Sequence, residues 1–192
     1  MKKVLYGYGG HAREVMAQMG EELVCYVDDK YVSDNTKPIS MFDPEKEIMM
    51  IAVGDSISRK KIKDKLPKNS KFFTFIHPTA QIMDSNIKIG EGSFIGANSI
   101  ITTNIEIGRH TLLNRSVQIG HDTLIDDYFS AMPGVVISGN VKIGKQVYIG
   151  TNSSVREKTK ICDKVMIGLC SGVVKDINHS GTYVGCPTIK IK

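Results

Sequence analysis

Lys88-Ile89-Gly90-Glu91-Gly92-Ser93-Phe94-Ile95-Gly96 opens a pattern that decides the fold. Stepping by six from Ile89 gives Ile95, Ile101, Ile107, Leu113, Ile119, Ile125, Ala131, Ile137, Ile143, Ile149, Val155, Ile161, Ile167 and Val173. Only Ala131 departs from Ile, Leu or Val. The following residue is glycine at Gly90, Gly96, Gly108, Gly120, Gly144, Gly150 and Gly168. Small or β-branched residues recur four places on, among them Ser93, Ser99, Thr111, Val117, Thr123, Val135, Val141, Val147 and Ser171. A period of six is a multiple of two, so it fits strands and not helices. Each hexapeptide is a short strand and a turn, with the aliphatic residue inward and the glycine permitting the corner backbone. Such repeats are a β-helix signature. Three hexapeptides close one triangular coil of 18 residues, and the run gives about five coils. Nothing is inserted between Ile89 and Val173, so no long loop is expected to leave the prism.

Outward from the repeat, residues 1–76 alternate strand and helix: Val4-Leu5-Tyr6, a helix over His11 to Met19, Leu23 to Val27, Ile48 to Val53, a charged helix over Ser56 to Leu66, and a closing strand over Phe72 to Ile76. That order predicts a small parallel α/β unit. His77-Pro78 marks the junction with a β-helix domain over 77–192. Gly7-Tyr8-Gly9-Gly10-His11-Ala12 fits G-x-G-x-x-A, and Asp28-Asp29 follows about 20 residues on, as in a dinucleotide fingerprint. About 76 residues make only one mononucleotide half, which argues against an NAD-dependent oxidoreductase. Such a half holds one nucleotide, with its phosphates at the helix N-terminus.

The chain has 192 residues, 41% of them hydrophobic, with no tryptophan. No apolar run approaches the ~20 residues of a membrane span, and Gly7 interrupts any signal-peptide core, so a cytoplasmic protein is expected. The net charge of +5 is dispersed apart from Arg59, Lys60, Lys61, Lys63 and Lys65, which read as a solvated helix face. Nucleic-acid binding wants a denser stripe with stacking aromatics. Cys25, Cys162, Cys170 and Cys186 lack C-x-x-C spacing and a histidine motif, so neither a disulfide framework nor a metal site is expected.

The Gly9-Gly10-His11 loop, the Val27-Asp28-Asp29 strand end, Gly54, Asn114, His121-Asp122, Gly139-Asn140-Val141 and the Val184-Gly185-Cys186-Pro187 ending together resemble one family. It is the bacterial nucleotide-sugar acetyltransferases of bacillosamine and perosamine type, to which sialic acid O-acetyltransferases are similar. The resemblance implies a left-handed β-helix, a homotrimer with active sites between neighbouring β-helices, and acetyl-CoA as co-substrate. It implies His121 as general base, paired with Asp122, and Asn114 at the acceptor or acetyl end. It places the acceptor nucleotide on Gly9, Gly10, His11, Asp28, Asp29 and Gly54. It places CoA contacts at Ser130, Thr151 and Leu169, with two departures: relatives carry histidine where this chain has Ser130, and glycine where it has Leu169.

A neutral imidazole near pH 7 suits proton removal from an acceptor. Gly139 lies 18 residues after His121, so the two backbones stack ~4.8 Å apart. A Gly139 N–H there is suited to the thioester oxygen as charge develops. His110 and His179 have no partner in the pattern and are expected to be exposed. The leading function is N-acetylation of a nucleotide-linked amino sugar. O-acetylation of a sugar such as sialic acid is the alternative, and a non-catalytic nucleotide-sugar-binding protein is the reading from another class.

Overall fold

The computed structural model describes all 192 residues. β1 (Lys2–Tyr6), β2 (Val24–Val27), β3 (Lys37–Pro38) and β4 (Glu47–Ile51) form a parallel sheet in the order β3-β2-β1-β4. β1 enters helix α1 (Gly10–Met19), and β4 enters helix α2 (Ser56–Lys65). Gly7 ends β1 at φ +110, and a Cβ there would sit 3.1 Å from the Ala52 carbonyl oxygen, so the turn needs glycine. The two-residue strand β3 lies on the sheet edge and carries Pro38, which is why its sequence gave no strand signal.

The rest of the chain forms three sheets, parallel except for the closing Tyr183↔Lys190 pair, and from Lys88 to Val173 the partners are 18 residues apart, as in Leu113↔Ala131, Ile119↔Ile137 and Ile125↔Ile143. These sheets are consistent with a left-handed β-helix of hexapeptide repeats. Face one holds Phe94–Ile95, Leu112–Leu113, Ser130–Ala131 and Tyr148–Ile149; face two holds Ile100–Ile101, Gln118–Ile119, Val136–Ile137 and Ser154–Val155; face three holds Glu106–Ile107, Leu124–Ile125, Lys142–Ile143 and Lys160–Ile161. The register residues fill the prism as a single core from Ile95 to Val173. Each fully buried aliphatic contributes roughly 1.5–3 kcal/mol. Ala131 is explained by Phe129, two residues earlier on the same inward side and likewise fully buried: the small residue makes room for the ring.

The structure corrects two expectations. The strand expected over Phe72 to Ile76 divides: Phe72 bridges Met49 of the first sheet, whereas Phe75–Ile76 pairs with Phe94–Ile95 and opens the prism. Beyond the repeat, Gly181–Val184 pairs with Val165–Ile167. The glycines after the register positions do not serve left-handed corners. A Cβ at Gly120 would lie 2.6 Å from the Gly139 nitrogen, and one at Gly150 2.6 Å from the Leu169 nitrogen, so these glycines admit the next coil. The left-handed corners come two residues later. Residues 92, 98, 104 and onward in steps of six to 170 all have positive φ. Of these corners, Gly92, Gly134, Asn98, Asn104, Asn140 and Asn152 are the types that tolerate it best.

Face one carries the α/β unit. Phe94 and Leu112 join Leu5, Val15, Met50 and Phe73 in one apolar cluster. Face three turns Lys88, Glu106, Lys142 and Lys160 to solvent. Face two presents Ile100, Thr102, Gln118, Gly120, Val136, Ser138 and Ser154, with Arg156 the one charged side chain of these rows.

Candidate active site

His121 and Asp122 occupy the corner between faces two and three. Asp122 takes the left-handed position, φ 56, which Asp accepts more readily than most residues. The turn sets the two side chains together: His121 Nδ1 lies 2.7 Å from Asp122 Oδ2. Asn104, one coil below, donates its amide to Asp122 Oδ1. That bond, and after it the imidazole, hold the Asp122 carboxyl below its ordinary range. With Nδ1–H donated to an ionised carboxylate, Nε2 carries the free lone pair. Asn104 was missed from sequence, although its signal was available: it stands 18 residues before Asp122.

Gly139, on the following coil, lies against the ring. A Cβ on it would stand 2.5 Å from His121 Nε2 and 2.7 Å from Cε1. The coils are tied here by the Asn140 N–H donating to the His121 carbonyl at 2.7 Å. Residues at this corner position send their N–H out of the backbone ladder. Side chains take several of them: Asp127 accepts from Arg109, Asp163 from Lys145, and Gln18 from Ala97. The Gly139 N–H has no partner in the chain, and Gly139 is the one residue of this series that is buried. A buried, unpaired N–H beside an imidazole nitrogen is a ready donor to an anionic oxygen.

The other expected residues form two further groups. Asn114 is 5% exposed at the end of a face-one strand, its Oδ1 accepting from the Arg115 N–H at 2.8 Å. Thr151 and Leu169 are stacked at the corner between faces one and two, both exposed. Face two therefore separates this edge from His121 and Gly139 within one chain. Ser130 is fully buried, and its hydroxyl donates to the Gly54 carbonyl at 2.8 Å. That side chain faces the α/β unit, with its hydroxyl committed to Gly54 and Arg59.

In the α/β unit, Gly9 is the N-cap of α1 and has no side-chain cap, and both Gly9 and Gly10 are exposed. The first-turn N–H groups thus remain free for an anion. The His11 ring packs edge-on against Phe94 at 5.6 Å, and burial pushes its pKa down to about 4, so it is neutral and turned from solvent. Asp28 accepts from the Tyr6 hydroxyl at 2.7 Å, and Asp29 from the Ser40 N–H at 3.2 Å. Both stand at the carboxyl end of β2, where open parallel sheets place ligands. A cleft of about 320 Å³ adjoins Asp28, bounded by Tyr31, Ser58, Lys61 and Lys65.

His110 is corrected outright. It is 2% exposed, lying between Phe72 at 4.6 Å and Tyr128 at 5.2 Å, with its pKa pushed down to about 4, first by burial and then by Arg59. Docking of the α/β unit covers this corner, which the repeat alone does not announce. His179 is exposed as expected. No helix is long and apolar enough to cross a membrane.

No protein-family model matches the chain. Among solved structures, the acetyltransferase domain of PglB from Neisseria gonorrhoeae, in complex with acetyl coenzyme A, is similar at a TM-score of 0.85 and 26% identity, over 99% of this chain and 98% of that one. WeeI from Acinetobacter baumannii matches at a TM-score of 0.88 and 25% identity over the full length of both. A histidine variant of perosamine N-acetyltransferase from Caulobacter crescentus, in complex with CoA and GDP-perosamine, shares the fold at a TM-score of 0.88 and 22% identity, over 100% of this chain and 97% of that one. Along almost its whole length the chain is a structural homologue of bacterial acetyltransferases that use acetyl-CoA.

Proposed function

We propose that the protein transfers the acetyl group of acetyl-CoA to the amino group of a nucleotide-linked amino sugar, with His121 as general base. The observation that carries this reading is the His121 ring, oriented by Asp122, over the unpaired N–H of Gly139. Nε2 takes a proton from the acceptor nitrogen as that nitrogen bonds to the thioester carbon. The carbonyl oxygen becomes an oxyanion and accepts from the Gly139 N–H. Collapse breaks the carbon–sulfur bond, and the proton on Nε2 passes to the departing CoA thiolate. A positioned base typically contributes ~10²–10⁴-fold, and one oxyanion donor ~10²–10³-fold.

The assembly in this reading is a homotrimer. Of the three prism faces one is covered, one is lined with charged side chains, and face two is uncovered and carries a single charged side chain, Arg156. In a threefold assembly on face two, the edge with Asn114, Thr151 and Leu169 of one subunit meets the edge with His121 and Gly139 of the next. The α/β unit holds the acceptor nucleotide through Gly9, Gly10, the His11 backbone, Asp28, Asp29 and Gly54. The left-handed helix and the boundary near residue 76 belong to the same reading.

The test is CoA thiol release with UDP-, dTDP- and GDP-linked amino sugars, with sialic acid alongside. Turnover of one amino sugar supports the proposal. Turnover of sialic acid alone overturns the amino specificity, and no thiol release with any acceptor overturns the enzyme reading.

A further inference from the structure

Between β4 and α2 the chain passes through Val53, Gly54 and Asp55. Asp55 caps α2, accepting from the Ser58 N–H at 2.7 Å. One turn on, Arg59 enters the junction with the prism and is 2% exposed. Nη1 donates to the Val53 and Gly54 carbonyls at 2.7 and 3.2 Å. Nε donates to the His110 carbonyl at 2.8 Å, and Nη2 to the Tyr128 and Phe129 carbonyls at 3.2 and 2.8 Å. Nη2 also donates to Ser130 Oγ at 2.9 Å, whose own proton goes to the Gly54 carbonyl at 2.8 Å. The Gly54 oxygen therefore receives one donor from α2 and one from the prism.

No carboxylate bonds to this buried guanidinium. Burial lowers its pKa only to about 10, so it stays charged at neutral pH. Apolar packing would join the two units at lower desolvation cost. What the planar fork adds is direction, because it fixes carbonyls on both sides of the junction at once. On its other side Gly54 is open: a Cβ there would meet nothing within 4 Å. The loop is tied from behind and free in front, at the carboxyl end of the sheet.

We propose that Arg59 and Ser130 form a clamp that presets the Gly54 loop against the β-helix, and so sets the affinity for the acceptor's nucleotide without touching it. This rests on the nucleotide-sugar reading above. Both are positioning residues, and Ser130 acts here through its hydroxyl toward Gly54.

The test uses the full-length protein as wild type, Ser130→Ala and Arg59→Lys. Hydrogen exchange is followed at residues 53–56, and binding of UDP, dTDP and GDP by calorimetry. Losing one net hydrogen bond predicts roughly threefold to tenfold weaker nucleotide binding in Ser130→Ala. Arg59→Lys, which keeps the charge and loses the fork, should weaken it more than about tenfold. Exchange at 53–56 should quicken in both, while the KM for acetyl-CoA and the exchange at Ile143 and Ile149 stay unchanged. If Arg59→Lys does not fold, Ser130→Ala decides alone. Unchanged exchange at 53–56 in Ser130→Ala overturns the clamp, as does an equal weakening toward acetyl-CoA. Quickened exchange in a protein that binds none of the three nucleotides as wild type overturns the acceptor reading and leaves the clamp standing.

Discussion

Replacing Gly139 by alanine tests the site with a single methyl group. The Gly139 φ lies outside the left-handed region, so alanine fits the backbone. The added Cβ would stand 2.5, 2.7 and 2.9 Å from Nε2, Cε1 and Cδ2 of His121, and these ring atoms are its nearest neighbours. Ordinary contact is about 3.5–4 Å, so the ring must withdraw by roughly 1 Å. It can do so cheaply, because the side chain is 57% exposed. Stability is therefore expected to hold, with Tm within about 3 °C of wild type, which for a chain of 192 residues corresponds to about 1 kcal/mol or less. The chemistry should not hold. Withdrawal breaks the 2.7 Å contact with Asp122 and misplaces Nε2.

A displacement near 1 Å costs on the order of 10²-fold, or about 2.7 kcal/mol of barrier. The assay is CoA thiol release at saturating acetyl-CoA, alongside thermal melting. A double-mutant cycle supplies the control: in a His121→Ala background there is no ring to displace, so Gly139→Ala should cost little more. A folded Gly139→Ala protein within threefold of wild-type kcat/KM would refute the stacked-site argument. So would a full second loss in the His121→Ala background, which would place the methyl's effect on the N–H or the acetyl group.

Asn104→Gly keeps the positive φ of that corner and removes the amide that steadies Asp122, and should lower kcat/KM by roughly fivefold with folding intact, read by the same assay. Ala131→Leu should overpack the coil that holds Phe129 and destabilise by about 1–3 kcal/mol in urea melts, with Phe129→Val in the same chain restoring part of it. His11 and His110 are neutral when folded, their pKa values pushed down to about 4, and titrate near 6.5 when unfolded. Between those values the unfolded chain binds more protons, so stability should fall as pH drops from about 6.5 toward 4, by on the order of 3 kcal/mol per ring. Urea melts at pH 7 and 4.5 measure the slope, and His110→Asn, compatible with its positive φ of 53, should make it shallower.

Chain-spacing arithmetic carried the prism and the stacking of Gly139 on His121, because contacts 18 residues apart are local to a solenoid. It failed where the partner lies in the other unit. Arg59 sits in a cluster of five basic residues that reads as a solvated face. Lys60 fits that description, pairing with Asp64 at the surface. Arg59 does not, and a signal was present: Ile62 and Leu66 follow it at three and seven residues, on the inward side of α2. His110 gave no comparable signal, since Phe72 reaches it only once the α/β unit docks. Ser130, placed with CoA by resemblance, points outward from face one and is covered there by the Gly54 loop.

The separation of the site across face two makes a prediction that one chain cannot satisfy alone. Asn114 lies toward one edge of that face, and His121 with Gly139 on the other. If each site takes its base from one subunit and its asparagine from the next, His121→Ala and Asn114→Ala damage different halves of one site. Separately, each homotrimer has three impaired sites. Mixed at random in equal amounts, a site is intact when its His121 edge comes from an Asn114→Ala subunit and its Asn114 edge from a His121→Ala subunit. That combination arises in about a quarter of the sites. Refolding the two variants together, or coexpressing them, should thus restore about a quarter of wild-type activity, with kcat/KM per intact site unchanged. Light scattering on the same samples should report three subunits. Were both residues supplied by one chain, mixing would restore nothing, because every site would keep the lesion of its own chain. A mixed sample that stays inactive while remaining trimeric would refute the shared site, and a fully active monomer would refute the assembly on face two.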